Sequence, residues 1–134
     1  MILKILIVED EKDLLWFNEQ LFDTYPRVQI LKATTGEEAM EIIHKEKPHV
    51  IILDLKLSDY PLMDGMEVLE KLRKFDKETE VIITTALKDE SFVEGAKKLG
   101  ARAYFKKPFS IQLLKDEIET VSYTHLTLPT KRIV

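Results

Sequence analysis

The chain has 134 residues, of which 45% are hydrophobic, and this is enough for one domain with one core. Its 20 Lys and Arg stand against 24 Asp and Glu, and the resulting net charge of −4 argues against nucleic acid or an anionic membrane as a partner. The sequence contains no cysteine and no apolar stretch of the roughly 18 residues that span a membrane, so we expect a cytoplasmic protein without disulfides or thiolate metal sites.

Strand-length apolar runs alternate along the chain with segments of helical periodicity. The strands are predicted at Ile2–Val8, Val28–Ala33, His49–Leu53, Glu80–Thr84 and Ala103–Phe105. Apolar residues recur at helical spacing in the segments Asp13–Tyr25, Gly36–Lys45, Gly65–Phe75, Asp89–Leu99 and Ser110–Thr120. All strands except the second lack polar alternation, which is typical of parallel strands covered on both faces. The pattern predicts an α/β, doubly wound (βα)5 flavodoxin-like fold, a five-stranded parallel sheet in the order 2-1-3-4-5.

Two boundary signals support these helices. Thr35 and Glu38 form a capping-box pattern, in which the Thr35 hydroxyl and the Glu38 carboxylate each accept the other residue's backbone N–H. Gly100 follows the predicted fourth helix, at the position where a left-handed C-cap residue is expected.

Polar residues that suit phosphoryl chemistry follow four of the predicted strands. They are, in chain order, Glu9 with Asp10, Asp54, Thr85, and Lys106 with Lys107. The carboxyl ends of parallel strands lie at one edge of a sheet, so we expect these side chains to meet in one crevice, where open α/β sheets bind ligands. A capping or solvated role would suit any one of the acids, but it does not explain all three together with a lysine.

The three carboxylates predict a magnesium site. A carboxylate at the end of a buried strand, as expected for Asp54, is costly unless it is paired or used, and Glu9 and Asp10 add like charges nearby. Mg²⁺ prefers oxygen ligands in octahedral geometry and binds through one or two carboxylates, several waters and a phosphate oxygen. We expect Asp10 and Asp54 to bind the ion directly and Glu9 directly or through water. A backbone carbonyl just after Asp54 is expected to fill a further position.

One of two adjacent lysines is expected to complete the crevice. Alternation along the fifth strand places only one of Lys106 and Lys107 over the site, and we favour Lys107, directly before Pro108. Its ammonium would pair with Asp54 at rest and with a phosphoryl oxygen when one is bound. The hydroxyl of Thr85 can donate to the same phosphoryl group.

This ordered set resembles the receiver (phosphoacceptor) domain of two-component response regulators, which are CheY-like proteins. The resemblance covers about residues 1–120 and rests on Glu9-Asp10, Asp54, Thr85-Ala86 and Lys107-Pro108-Phe109 at the strand ends. It implies phosphorelay signal transduction, in which Asp54 accepts a phosphoryl group from a phosphohistidine of a sensor histidine kinase or phosphotransfer protein in a Mg²⁺-dependent reaction.

The resemblance also assigns roles to individual residues. The implied metal ligands are Glu9, Asp10, Asp54 and the backbone carbonyl of Lys56. Thr85 and Lys107 then contact the new phosphoryl group, and Tyr104 matches the aromatic residue whose rotamer couples to the threonine. The alternative for Tyr104 is ordinary packing with a solvated hydroxyl. The implied output surface, for an output domain or partner protein, is built from the Asp89–Leu99 helix, the last strand and the Ser110–Thr120 helix.

Two other functions remain open at this point. A pseudo-receiver would keep the fold and bind a partner without phosphate, but the intact acids together with Thr85 and Lys107 argue against it. A Mg²⁺-dependent phosphohydrolase with an aspartyl nucleophile would usually need a second carboxylate two residues after Asp54, where Lys56 stands. We therefore expect no enzyme activity other than self-phosphorylation and autodephosphorylation.

The loop after Asp54 departs from the family's pattern. The Asp64-Gly65 pair comes later than is common in the family, after a longer loop at Ser58–Met63. The backbone of Lys56 precedes this insertion, so its implied role is unaffected. We expect the longer loop to alter the access of a kinase or of water to the site, and with it the lifetime of the acyl phosphate.

The last residues do not fit the pattern of the preceding domain. Residues 121–130, with the sequence VSYTHLTLPT, contain no acid and resemble an in-frame translation of a transposon-end adapter used in DNA library preparation. We expect a receiver domain at residues 1–120 and a non-native tail at residues 121–134. A native disordered extension is the alternative.

Overall fold

The computed structural model describes residues 2–57, 64–87 and 89–123. Strands and helices alternate through these ranges. The strands are β1 (Leu3–Val8), β2 (Val28–Ala33), β3 (Val50–Leu53), β4 (Glu80–Thr85) and β5 (Ala103–Lys106). The helices are α1 (Lys12–Gln20), α2 (Gly36–Glu46), α3 (Gly65–Phe75), α4 (Glu90–Lys98) and α5 (Ile111–Ser122).

The five strands form one parallel sheet in the order β2-β1-β3-β4-β5, which confirms the predicted fold class. The register aligns the carboxyl ends of the three central strands, β1, β3 and β4. Val8 lies opposite Leu53, and Leu53 lies opposite Ile83. Because the chain leaves every strand in the same direction, the residues that follow the strands lie along one edge.

Two apolar clusters cover the two faces of the sheet. On β1, Leu3, Ile5 and Ile7 lie in the cluster packed by α1 and α5, whereas Leu6 and Val8 lie in the cluster packed by α2, α3 and α4. The strands alternate their side chains between these clusters, which is why β1, β3 and β4 read as continuous apolar runs. The edge strands β2 and β5 are only half-buried.

The first helix ends earlier than the sequence predicts. Helix α1 ends at Gln20, whereas the sequence predicted a helix that continues to Tyr25. The next turns are tighter, because the N–H of Phe22 donates to Glu19 O at 3.2 Å and that of Tyr25 donates to Phe22 O at 3.1 Å. Phe22 is nonetheless buried, so its side chain keeps the helical apolar pattern after the helix itself has ended.

The predicted loop at Ser58–Met63 lies outside the described residues, and so does most of the predicted tail, residues 124–134. Helix α5 continues to Ser122, and Val121 is completely buried in the cluster with α1. No helix in the described ranges is long and apolar enough to cross a membrane.

The capping box at α2 is present with one difference. The N–H of Glu38 donates to the Thr35 hydroxyl at 3.1 Å, as predicted. The Glu38 carboxylate, however, accepts the N–H of Thr34 at 2.7 Å rather than that of Thr35. At the other end of the domain, Gly100 follows α4 with φ of 76°, the predicted left-handed conformation.

The turn between α3 and β4 is organised by Asp76. Its carboxylate accepts the Thr79 hydroxyl at 2.6 Å and the backbone N–H groups of Glu78 at 2.8 Å and Thr79 at 3.0 Å. Burial disfavours the ionised form, but the hydrogen bonds from Thr79 and Glu78 prevail and hold the pKa of Asp76 below its ordinary value of 3.8.

Replacing Asp76 by asparagine should lower the free energy of unfolding at pH 7 by about 1–2 kcal/mol, because three hydrogen bonds lose their charged acceptor. The pKa of Asp76 is lowered on folding, so its contribution is present above pH 3.8 and is lost as the pH falls through the folded-state pKa. Urea unfolding across this range should therefore show the difference from wild type shrinking in acid. Glu78→Gln, which removes a nearby exposed charge, should show no such convergence.

Candidate functional site

Three of the predicted site residues continue the hydrogen-bond ladder of the sheet just beyond their strands. The N–H of Glu9 donates to Ala33 O at 3.0 Å, that of Asp54 to Val8 O at 3.1 Å, and that of Lys107 to Thr85 O at 2.8 Å. Each backbone is thereby fixed to the neighbouring strand. The side chains of Glu9, Asp54 and Lys107 consequently share the carboxyl edge of the sheet.

Lys107 joins two carboxylates that belong to different strands. Its ammonium lies 3.0 Å from Asp54 Oδ2 and 2.8 Å from Glu9 Oε1. The contact with Asp54 was expected from the sequence, but the shorter contact with Glu9 was not. Lys106, the other candidate, is on the opposite side of β5, where it contacts Glu90 at 3.2 Å.

Two acids of the crevice are shielded from water, and this controls their electrostatics. Glu9 is 2% exposed and Asp54 is 6% exposed. Burial raises the pKa of Glu9 to about 7, although the ammonium of Lys107 acts in the opposite direction. Burial would lower the pKa of Lys107, but its contacts with Glu9 and Asp54 prevail and raise it.

Asp10 completes a cluster of three carboxylates. One oxygen each of Glu9, Asp10 and Asp54 lies within 4.8 Å of the others, and Asp10 is the exposed member. Asp54 Oδ1 also accepts the backbone N–H of Lys56 at 3.0 Å, and Glu9 Oε2 accepts that of Glu11 at 3.3 Å. Hard oxygen donors held this close together suit a small divalent cation.

Thr85 and Tyr104 lie on adjacent strands and differ in their hydrogen bonding. Thr85 is completely buried, and its hydroxyl accepts the N–H of Leu87 at 3.3 Å. The hydroxyl of Tyr104 is buried but has no hydrogen-bond partner among the described residues, in contrast to the solvated hydroxyl of the packing alternative. Burial, followed by the charges of Glu90 and Asp54, raises the pKa of Tyr104.

Gly65 is a sterically constrained position next to Asp54, and the sequence predicted it only as the start of a helix. Asp64 caps α3, its side chain accepting the Gly65 N–H at 2.9 Å, and the same N–H donates to Leu55 O at 3.0 Å. A Cβ on Gly65 would overlap the carbonyl oxygen of Asp54 and lie 2.7 Å from Leu55 Cα. The start of α3 can therefore pack directly on the backbone of Asp54 only with glycine at this position.

Comparisons with known proteins relate this arrangement to one family. The family model described as "Response regulator receiver domain" matches residues 5–119. Sporulation initiation phosphotransferase F of Bacillus subtilis (strain 168) is 34% identical over 116 residues, which make up 87% of this chain and 90% of that protein. Residues 5–119, which match the family model, contain all the residues of the crevice.

A longer relative and a solved structure extend the comparison. The Bacillus subtilis (strain 168) protein named "Probable C4-dicarboxylate response regulator DctR" is 32% identical over 87% of this chain, but the match covers only 50% of that relative. The receiver domain protein (CheY-like) of Methanospirillum hungatei JF-1 has a TM-score of 0.81 at 28% identity, covering 91% of this chain and 95% of that one. The match thus covers 90% of the phosphotransferase and 95% of the solved receiver chain, but half of the longer relative.

Gly65→Ala should lower the free energy of unfolding by about 1–3 kcal/mol, because the new methyl group overlaps backbone atoms that cannot rotate away. Gly95→Ala is the matched control. Gly95 lies inside α4, and its new Cβ would be 3.4 Å from the flexible end of the Met66 side chain. That change should raise stability by about 0.5–1 kcal/mol through helix propensity. Urea unfolding of both variants is the measurement, and equal effects would contradict the close approach at Asp54.

Lys107→Met should lower the free energy of unfolding at pH 7 by about 1–3 kcal/mol. The change leaves two buried carboxylates without their shared ammonium, and the figure is below that for a fully buried pair because Lys107 is partly exposed. Lys106→Met is the control and should change stability by less than about 0.5 kcal/mol, because the Lys106–Glu90 pair is solvated. Urea denaturation of the two variants distinguishes them. A loss in Lys106→Met as large as that in Lys107→Met would contradict this account.

Proposed function

The chain belongs to the family of response regulator receiver domains, and on that premise we propose that Asp54 accepts a phosphoryl group from a phosphohistidine of a sensor histidine kinase or phosphotransfer protein. The observation that carries the proposal is the placement of Asp54: it is 6% exposed, within 4.8 Å of two other carboxylates, and 3.0 Å from the ammonium of Lys107. A carboxylate with these neighbours is held in position and has an ammonium group beside it that can pair with an added phosphoryl group.

The residues of the crevice fit Mg²⁺ as the cofactor. Glu9, Asp10 and Asp54 supply hard oxygen atoms within 4.8 Å of one another, and the backbone carbonyl of Lys56 would add a fourth ligand. The exposed position of Asp10 leaves one side of the cluster open to water and to a phosphate oxygen. When bound, the ion supplies neutralisation of the charge on the phosphoryl oxygens.

The transfer itself needs little from the protein beyond position and charge. A carboxylate oxygen of Asp54 attacks the phosphorus in line with the leaving imidazole nitrogen, a P–O bond forms, and the P–N bond breaks with its electron pair going to the nitrogen. The Lys56 N–H at 3.0 Å fixes the orientation of the carboxylate. Lys107 then exchanges its contact with Asp54 for a contact with a phosphoryl oxygen.

Thr85 and Tyr104 would transmit the change. Among the described residues, the hydroxyl of Thr85 accepts one hydrogen bond, of 3.3 Å, and it is available to donate to the phosphoryl group. The buried hydroxyl of Tyr104 has no described partner, which makes its present rotamer costly and favours an alternative one once Thr85 moves. The two positions thus bias an existing equilibrium between conformations, read out at α4, β5 and α5 by an output domain or partner protein.

We place this module in the cytoplasm, where its cysteine-free sequence suits a reducing compartment. Its chemistry is limited to its own phosphorylation and dephosphorylation. The net charge of −4 disfavours direct binding of nucleic acid or an anionic membrane.

Incubation with phosphoramidate and Mg²⁺ should add the mass of one phosphoryl group to the intact protein, measured by electrospray mass spectrometry. Asp54→Asn should abolish the addition, because an amide oxygen is a poor nucleophile. Asp10→Asn should slow it by at least about tenfold, through weakened metal binding. Asp89→Asn, which removes an exposed acid that caps α4, is the matched control and should react like wild type.

Two outcomes would contradict the proposed function. Addition of the phosphoryl group to Asp54→Asn at the wild-type rate would exclude Asp54 as the acceptor. No modification of the folded wild-type protein would indicate a pseudo-receiver, whereas catalytic turnover of an external phosphoester would indicate a hydrolase.

A further inference from the structure

A groove of about 380 Å³ lies between α1 and the start of α5, next to the acidic crevice. Its walls are formed by apolar side chains, namely Leu14, Phe17, Pro108, Phe109 and Ile111. Phe17 and Ile111 are 41% and 38% exposed, so apolar surface remains open to water. A concave, mainly apolar site of this size is typical of those that bind small molecules.

Asn18 is the uncharged polar residue among those that line this groove, and it is 6% exposed. In the part of the chain that the structure describes, no hydrogen bond joins its carboxamide to another residue. The Tyr104 hydroxyl alone among the described side-chain polar atoms is both sealed from water and without a partner, so the carboxamide of Asn18 reaches water in the groove. The side chain therefore offers one donor group and one acceptor group to whatever enters the groove.

The charged residues at one end of the groove favour an uncharged ligand. Glu9 and Lys107 both line this end, but their oxygen and nitrogen atoms lie 2.8 Å apart and satisfy each other. An anion would have to compete with Glu9 for the ammonium, and a cation would have to compete with Lys107 for the carboxylate. A carboxamide pairs best with another amide, because each group then both donates and accepts.

We propose that this groove is a binding site for a small uncharged amide with an aromatic or branched aliphatic body. The body packs between Phe17, Phe109 and Ile111, and the amide pairs with the carboxamide of Asn18. The site has a wall in common with the phosphoacceptor crevice, but it uses neither Asp54 nor a metal ion. The proposal therefore does not depend on phosphoryl transfer.

The test is a titration of the 15N-labelled protein with 3-phenylpropanamide, followed by amide chemical shifts. Saturable shifts are expected at the groove residues of α1 and α5, with a Kd on the order of millimolar, as a ligand of this size allows. Methyl 3-phenylpropanoate has the same body but no N–H donor and should bind several-fold more weakly. The 3-phenylpropanoate anion should bind more weakly still.

Three variants locate the contacts. Asn18→Leu should weaken binding of the amide by roughly fivefold and binding of the ester by less, because the amide loses two hydrogen bonds and the ester, which can only accept, loses one. Ile111→Asn should weaken both ligands, whereas Leu113→Asn, at a 53% exposed position of α5 outside the groove, should weaken neither. The titration contains neither Mg²⁺ nor a phosphoryl donor, so its result is separate from the outcome of the phosphorylation experiment.

The proposal is overturned by any of three results. These are the absence of saturable shifts in the folded wild-type protein, shifts that centre away from α1 and α5, and equal affinity for the amide and the ester in wild type. Because Ile111 and Leu113 are both exposed, the comparison of their variants remains decisive even if Asn18→Leu fails to fold.

Discussion

The ion pairs of Lys107 with Glu9 and Asp54 are the interaction on which the site depends. Two carboxylates with little exposure to water would repel each other and would be costly to keep ionised without a cation nearby. The ammonium of Lys107 lies within 3.0 Å of both and so makes the arrangement possible. The same contact joins the ends of β1, β3 and β5, which makes the local stability of the sheet edge and the charge state of the crevice interdependent.

The parallel sheet supplies this contact through its register. Backbone hydrogen bonds extend beyond the strands to Glu9, Asp54 and Lys107. The backbone positions of the three residues are therefore set by the sheet and not by the contacts of their side chains. Helix α3 adds a further constraint, because Gly65 lets its first turn pack on the carbonyl group of Asp54. Asp54 is thereby held from two sides, by a neighbouring strand and by a helix terminus, while Asp10 stays exposed at the edge of the cluster.

Sequence patterns were sufficient for the strand order and the side chains at the strand ends, because both follow from local periodicity and from the geometry of parallel sheets. They were insufficient where a contact depends on exact distances. Lys107 contacts Glu9 as well as Asp54, and the sequence does not show which carboxylates the ammonium reaches. Glu38 likewise accepts the N–H of Thr34 and not that of the adjacent Thr35, although the two donors are chemically alike. The end of α1 was predicted too late because Phe22 and Tyr25 keep apolar spacing through tight turns. The approach of Gly65 to Asp54 leaves no apolar pattern, and only the Asp-Gly pair before a helix signalled it.

The adjacent lysines of β5 have a consequence for how this domain tolerates changes in chain length. Lys106 and Lys107 point to opposite sides of the strand end, towards Glu90 and towards the crevice. An insertion of one residue in the turn before β5 would shift the strand by one position and put Lys106 where Lys107 now lies. An ammonium would still reach the acids, but Tyr104 and Phe105 would also exchange faces. Such a variant would keep an ammonium beside the carboxylates, but the Tyr104 side chain would face α1 and α5 instead of α2, α3 and α4. The charge balance of the crevice and the packing of the β5 aromatic residues would then become separable in one chain.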